Sequence, residues 1–188
     1  MENIFFDISE LKYCGKNVII GKTVRIRKPH LVSIGDNSII DDFTYIPCAM
    51  DIGSYSHVGA NCSFIGGPGY VRIGSFVNVA PGCQIVTGTN DYRGGGLVGP
   101  TIPQEFSGAA IVEPVSIGDH CLLACQTVVL PGCSLPEGVS TGAMTLLKKD
   151  EYSPWSLYVG IPGRKIGERD GRAILESAKQ LLDSNMAY

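Results

Sequence analysis

Bulky apolar residues fall at Ile34, Ile40, Ile46, Ile52, Val58 and Phe64, six in a row at a spacing of six. The phase skips three residues and resumes at Ile73, Val79 and Ile85. It returns after a long gap at Ile117, Leu123, Val129 and Leu135, and runs on through Thr141 to Leu147. Upstream, Ile20 and Ile26 fit after a two-residue slip. The position after the bulky residue is small or turn-forming, as at Gly35, Asp41, Pro47, Gly53 and Gly59. The fifth position is small or mid-sized, as at Ser38, Thr44, Ser56, Cys62, Cys83 and Val139. A period of six suits neither a 3.6-residue helix nor a plain alternating strand. It predicts a coil with three flat faces of one hexapeptide each. The bulky residue points inward, the fifth residue fills a corner, and glycine permits the tight turn. Eighteen residues then close one coil, so Ile34, Ile52, Ile73 and Ile117 stack on one face. About five coils at ~4.8 Å give a prism roughly 25 Å tall.

Two segments depart from the repeat. Thr87 to Glu113 is a long excursion carrying Gly94-Gly95-Gly96, Gly99-Pro100 and Ile102-Pro103. A loop of that length in a compact domain is functional or disordered. Asn90, Asp91, Tyr92, Arg93, Gln104 and Glu105 give it sugar-compatible chemistry. Near the C-terminus, Ile174, Leu175, Ala178, Leu181 and Leu182 form the stripe of a short amphipathic helix. The expected division is a β-coil domain over residues 1–167, with loop 87–113, and a helix and tail of the same domain over 168–188.

Composition narrows the function classes. Glycine makes up 24 of 188 residues, close to double the roughly 7% of average proteins, which fits many tight turns. The net charge of −3 gives no nucleic-acid surface. No stretch reaches the ~18 apolar residues of a membrane span. The start, Met1-Glu2-Asn3, lacks the basic region of a secretion signal, so a cytoplasmic location is expected. Seven cysteines without a Cys-x-x-Cys pair suggest neither disulfides nor metal. Cys62, Cys83, Cys121 and Cys133 occupy the inward fifth slot, and Cys48 and Cys125 the third, as core or surface filler.

The repeat, the excursion and the tail Pro154-Trp155-Ser156-Leu157-Tyr158-Val159-Gly160-Ile161-Pro162-Gly163-Arg164-Lys165-Ile166 together resemble the hexapeptide-repeat acyltransferases. Within them the likeness is to the sugar acetyltransferases of bacterial surface-polysaccharide pathways, over residues from about 18 to 167. The resemblance implies an all-β fold, a left-handed parallel β-helix. It also implies acetyl-CoA as co-substrate without a metal, a sugar or nucleotide-linked sugar as acceptor, and a homotrimer. A filled prism has no inner cavity, so a ligand binds along an edge, beside a loop or a neighbouring subunit.

Acetyl transfer from a thioester needs a base near the attacking group and a donor to the developing oxyanion. Relatives often place a histidine at the start of the loop in Thr-Gly-His. Here that stretch reads Thr87-Gly88-Thr89-Asn90-Asp91, so the histidine is missing. Of three histidines, His30 lies in a slip region and reads as surface. His120 holds an outward fourth position and reads as surface or interface. His57 holds a corner, followed by Gly59-Ala60-Asn61, and its corner lies within reach of the loop base. The Ala60-Asn61 pair resembles the Ala-Asn of galactoside-type enzymes, which implies Asn61 in the active site. Asp91 is the rival base: an amine acceptor eases the demand on the base, and an idle His57 would point to an amino sugar with Asp91. Asn90, Tyr92 and Arg93 are the acceptor-binding candidates. Both hydroxyl and amine acceptors stay open.

The resemblance sets the donor on the later coils. Ala124, Gly142, Ala143 and Gly160 would line the pantetheine, and Lys148, Lys149, Arg164 and Lys165 could meet phosphates. Trp155 caps the last coil or covers adenine, the cap being preferred because an open coil end exposes strand edges. A metal enzyme needs three converging histidines, whereas the position one coil beyond His57 is Asn78. A non-catalytic sugar-binding or scaffold β-helix is the alternative function, and it needs neither the loop nor the basic tail.

Overall fold

The computed structural model describes residues 3–184; residues 1–2 and 185–188, including the end of the expected C-terminal tail, lie outside it. The chain winds a left-handed parallel β-helix of three sheets. The first face stacks Tyr13–Cys14, Val32–Ile34, Ala49–Ile52, Tyr70–Ile73, Val115–Ile117 and Ser134–Leu135. The second begins at Ile19–Ile20 and rises through Ile39–Ile40, His57–Val58, Asn78–Val79, Leu122–Leu123 and Ser140–Thr141. The third runs from Arg25–Ile26 through Tyr45–Ile46, Ser63–Ile65, Gln84–Val86 and Val128–Val129 to Leu146–Leu147.

Ile34 pairs in register with Ile52, Ile52 with Ile73, and Ile73 with Ile117, the ladder that the hexad phase predicts. All four are buried, as are the fifth-position residues from Ser38 to Val139. Inward hydroxyls are affordable because turn carbonyls accept them: Ser38 Oγ donates to Gly53 O at 2.8 Å, and Ser56 Oγ to Gly74 O at 2.8 Å. The prism has six rungs on each face rather than about five. The N-terminal rung is completed by Tyr13–Cys14, a short exposed strand ahead of the first repeat position, Ile20.

The tail does more than follow the last coil. Ser156–Val159 adds a seventh strand to the second face, and Arg164–Glu168 returns antiparallel to it. The reversal ends the sheet in an antiparallel hairpin rather than an open parallel edge.

One corner explains two residues. Tyr55, Phe76 and His120 occupy the same left-handed turn position on successive rungs, and their rings stack with centroids 5.2 and 5.0 Å apart. Gly138 takes that position on the next rung, and the Trp155 ring fills the space a side chain there would need. Trp155 stacks on His120 at 5.9 Å, and the Arg169 guanidinium lies over the indole while donating to His120 O at 2.6 Å. His120 is therefore buried, 8% exposed, and not an outward surface residue as its hexad position suggests. The aromatic column shields it from solvent. The C-terminal helix, Arg172–Ser184, leans over this column with Ile174, Ala178 and Leu181 toward it, leaving a cavity of about 450 Å³ between them. None of its residues is fully buried.

Candidate active site

His57 ends up on the flat second face rather than at a corner, because it directly precedes inward-pointing Val58 on its strand. The strand pleat turns its imidazole outward. In register, Ile39 lies on the rung below and Asn78 on the rung above. The chain turns two residues after Ile39, at Asp41, whose N–H donates to Val58 O at 2.9 Å. That turn sets the Asp41 carboxylate beside the imidazole, with Oδ2 2.7 Å from His57 Nε2. Both side chains are close to 40% exposed, at 43% and 41%. The adjacent Asp42 faces the other way: Thr23 donates to it through both N–H (2.8 Å) and Oγ1 (2.7 Å). Those bonds hold the Asp42 carboxyl below its usual range.

Asp41 opens an edge of the prism between the second and third faces. Backbone bonds trace it upward: Asn61 N–H to Asp42 O, Gly82 N–H to Ala60 O, Gln126 N–H to Pro81 O, and Met144 N–H to Cys125 O. Asn61 is an exposed left-handed turn residue on this edge, where other rungs place Phe43, Gly82, Gln126 and Met144. The proposed donor residues Ala124, Gly142, Ala143 and Gly160 lie on the upper turns of the same edge. The His57–Asp41 pair and the small-residue stretch thus share one rim of the molecule. The tightest point of that stretch is Gly142, where a Cβ would meet Val159 Cγ1 at 2.8 Å. Arg164 and Lys165 stand exposed on the returning strand, and Lys165 Nζ is paired with Glu168 at 2.7 Å.

The excursion leaves the third face after Val86, on the way to the first face, and so on a different corner from His57. Thr87 is buried at its root, with Oγ1 donating to Ile65 O at 3.0 Å. Gly88–Asn90 pairs antiparallel with Ala110–Val112, Glu113 N–H donates to Thr87 O, and Lys149 Nζ grips Glu113 at 2.9 Å. These contacts make a closed neck. Beyond it, Asn90, Asp91, Tyr92 and Arg93 line one cavity of about 470 Å³ with Thr89, Ala109 and Ile111. Asp91 accepts the Arg93 N–H at 2.9 Å, and Tyr92 is 86% exposed.

The structure therefore brings the four loop candidates together, and sets His57 and Asn61 near the proposed donor edge. His57 is not among the residues lining the loop cavity, contrary to the expectation that its corner reaches the loop base. The width of the third face separates the two within one chain. Sequence reasoning also missed Asp41, although the repeat carried the signal. A residue sixteen positions before His57 lies one coil below and two residues further along. Burial pushes the Cys48 and Cys133 thiols up to about 11 and Cys121 up to about 12, whereas a hydrogen bond with Cys83 lowers Cys62. Among the described residues, no group of three or more His, Cys, Asp or Glu side chains could hold a metal ion, and no helix is long and apolar enough to cross a membrane.

Comparison with known proteins decides the family. The chain is 32% identical over 170 residues to a dTDP-4-amino-4,6-dideoxy-D-glucose acyltransferase of Escherichia coli, covering 88% of this chain and 87% of that one. The chain belongs to the hexapeptide-repeat sugar acyltransferases. No protein-family model matches it. In structure it resembles the N-acyltransferase AntD from Bacillus cereus in complex with dTDP and 3-hydroxybutyryl-CoA. The TM-score is 0.86 at 30% identity, over 98% of this chain and 100% of that one. A cysteine-for-serine variant of AntD, in complex with dTDP-4-amino-4,6-dideoxyglucose and coenzyme A, matches at 0.82 and 31% identity over 98% of this chain and 100% of that one. A maltose O-acetyltransferase from Clostridium difficile shares the fold at 20% identity and a TM-score of 0.57, over 86% of this chain and 72% of that one. As a member of this acyltransferase family the chain is an enzyme.

Proposed function

We propose that this acyltransferase moves an acetyl group from acetyl-CoA to the amine of a dTDP-linked amino sugar. The observation that carries the reading is full-length similarity to enzymes that act on, or bind, dTDP-4-amino-4,6-dideoxyglucose. It tips the open choice between hydroxyl and amine toward the amine. The protein's own surface supports a nucleotide-linked acceptor. The segment Lys22 to Lys28, two coils below the His57 rung, carries Lys22, Arg25, Arg27 and Lys28 and no acid. Arg27 Nη1 reaches Tyr45 Oη at 3.5 Å on the neighbouring rung. Such a patch suits a diphosphate.

The sugar amine attacks the thioester carbonyl, a C–N bond forms, the C–S bond breaks, and CoA leaves as thiol. The amine proton needs an acceptor, and His57 is assigned that role, since imidazole is suited to carry a proton near neutral pH. Asp91 in the loop orients the acceptor. The donor lies along the edge marked by Ala124, Gly142, Ala143 and Gly160, with Arg164 and Lys165 toward its phosphates.

The site is completed in a homotrimer. The separation of His57 from the loop cavity within one chain favours this, as does the exposure of Leu97, Val98, Phe106, Ile111 and Val112 on the excursion. A soluble nucleotide-sugar and a CoA thioester as substrates fit a cytoplasmic enzyme of polysaccharide assembly. The test is free-thiol release from acetyl-CoA against dTDP-linked amino sugars, their hydroxyl counterparts and simple sugars, with product masses measured. Turnover confined to the amino sugars and an added mass of one acetyl group support the reading. Turnover only with simple sugar hydroxyls, or none with any acceptor, refutes it.

A further inference from the structure

We infer that Asp41 is the positioning residue for His57, and that the ring nitrogen it leaves free, Nδ1, is the one that takes the amine proton. The inference rests on His57 as the base. A carboxylate at neutral pH only accepts hydrogen bonds, so at 2.7 Å from Oδ2 the Nε2 atom must donate, and it therefore carries the proton of the neutral ring. Nδ1 is then the bare nitrogen. The arrangement is built by the backbone. The Asp41 N–H is tied to Val58 O, immediately after His57, so carboxylate and imidazole are held from the same rung contact. Asp41 is the carboxylate in contact with the ring. Ile39 below and Asn78 above do not titrate, and Asp42 is turned to Thr23. An exposed ion pair adds little to stability. Its value here is orientation: a ring fixed in one tautomer, with Nε2 engaged by the coil below and Nδ1 left bare. In the Ser-His-Asp triad the aspartate orients histidine through the opposite nitrogen, so the logic is shared and the reactive atom is exchanged.

The test uses the whole enzyme and two readouts. Nitrogen-15 NMR of the imidazoles, with the His57 signals assigned by their loss in His57→Ala, reads the tautomer without any turnover. The wild type should show a bare Nδ1, and Asp41→Ala a mixture of tautomers. In kinetics, Asp41→Ala should lower kcat about 10–100-fold with KM for both substrates within about twofold, a milder loss than in a buried triad. Asp41→Asn, which keeps an acceptor oxygen, should recover part of it. A wild-type ring protonated on Nδ1, or an Asp41→Ala enzyme with unchanged tautomer and kcat, overturns the role of Asp41 even if His57→Ala is inactive. Full turnover by His57→Ala would instead remove the base assignment itself, and with it any catalytic purpose for Asp41.

Discussion

Replacing Trp155 by alanine separates the two roles open to that side chain, capping the coil or covering adenine. A tryptophan buries about 150–250 Å² when fully enclosed. At about 25 cal/mol per Å² that is worth roughly 4–6 kcal/mol, and half of it for a half-buried ring. The offset stack on His120, with centroids 5.9 Å apart, adds about 0.5–1.5 kcal/mol. The Arg169 guanidinium, 5.7 Å from the ring centroid, adds about 0.5–1 kcal/mol. Trp155→Ala should therefore cost about 3–5 kcal/mol, and it also leaves Gly138 facing a void. For a chain of this size each kcal/mol moves Tm by about 2–4 °C, so calorimetry should find a fall of about 6–20 °C. CoA affinity, measured by titration well below the melting range, should stay within about twofold. An unchanged Tm together with a large loss of CoA affinity would refute the capping argument and return Trp155 to the donor site.

Other outcomes follow from the buried thiols and the basic tail. At pH 8 a disulfide reagent should titrate at most two thiols of the native enzyme, Cys14 and Cys125, and all seven after denaturation. Burial raises the thiol pKa, so thiolate at Cys48, Cys121 or Cys133 gains ground only as pH climbs toward 11 or 12; rapid reaction of four or more thiols at pH 8 would contradict this. Lys165→Ala should weaken CoA about tenfold more than dephospho-CoA, the loss expected for one charge-assisted bond. Equal weakening of both would leave Lys165 to its Glu168 partner alone.

The hexad pattern carried the fold because every inward position is fixed by the same steric rule on every rung. Ile34, Cys62 and Phe64 could be placed inside from phase alone, and all three are buried. Phase said less about what lies across a rung. His57 and Asp41 meet because a turn two residues past the strand pairing brings them together, a relation between rungs that needs the coil length of eighteen as well as the hexad phase. His120 is buried, against the surface half of the expectation, for a related reason. Its outward position is common to Tyr55 and Phe76, and only the column of three rings, closed by Trp155 across Gly138, buries it. The loop residues Asn90 to Arg93 were legible as a group from their polarity. Their distance from His57 was not, because the corner from which the excursion leaves depends on which face ends at Val86.

The central claim is that His57 serves as the base for acyl transfer to a nucleotide-linked amino sugar. Its most direct test is the turnover of His57→Ala beside Asp91→Ala, with acetyl-CoA and dTDP-4-amino-4,6-dideoxyglucose as substrates. General-base assistance is worth about 10²–10⁴-fold, so His57→Ala should lose at least about a hundredfold in kcat while its CoA dissociation constant stays nearly unchanged. Asp91→Ala should lose less. If His57→Ala keeps most of its turnover while Asp91→Ala is inactive, the claim is contradicted and the loop carboxylate is the base.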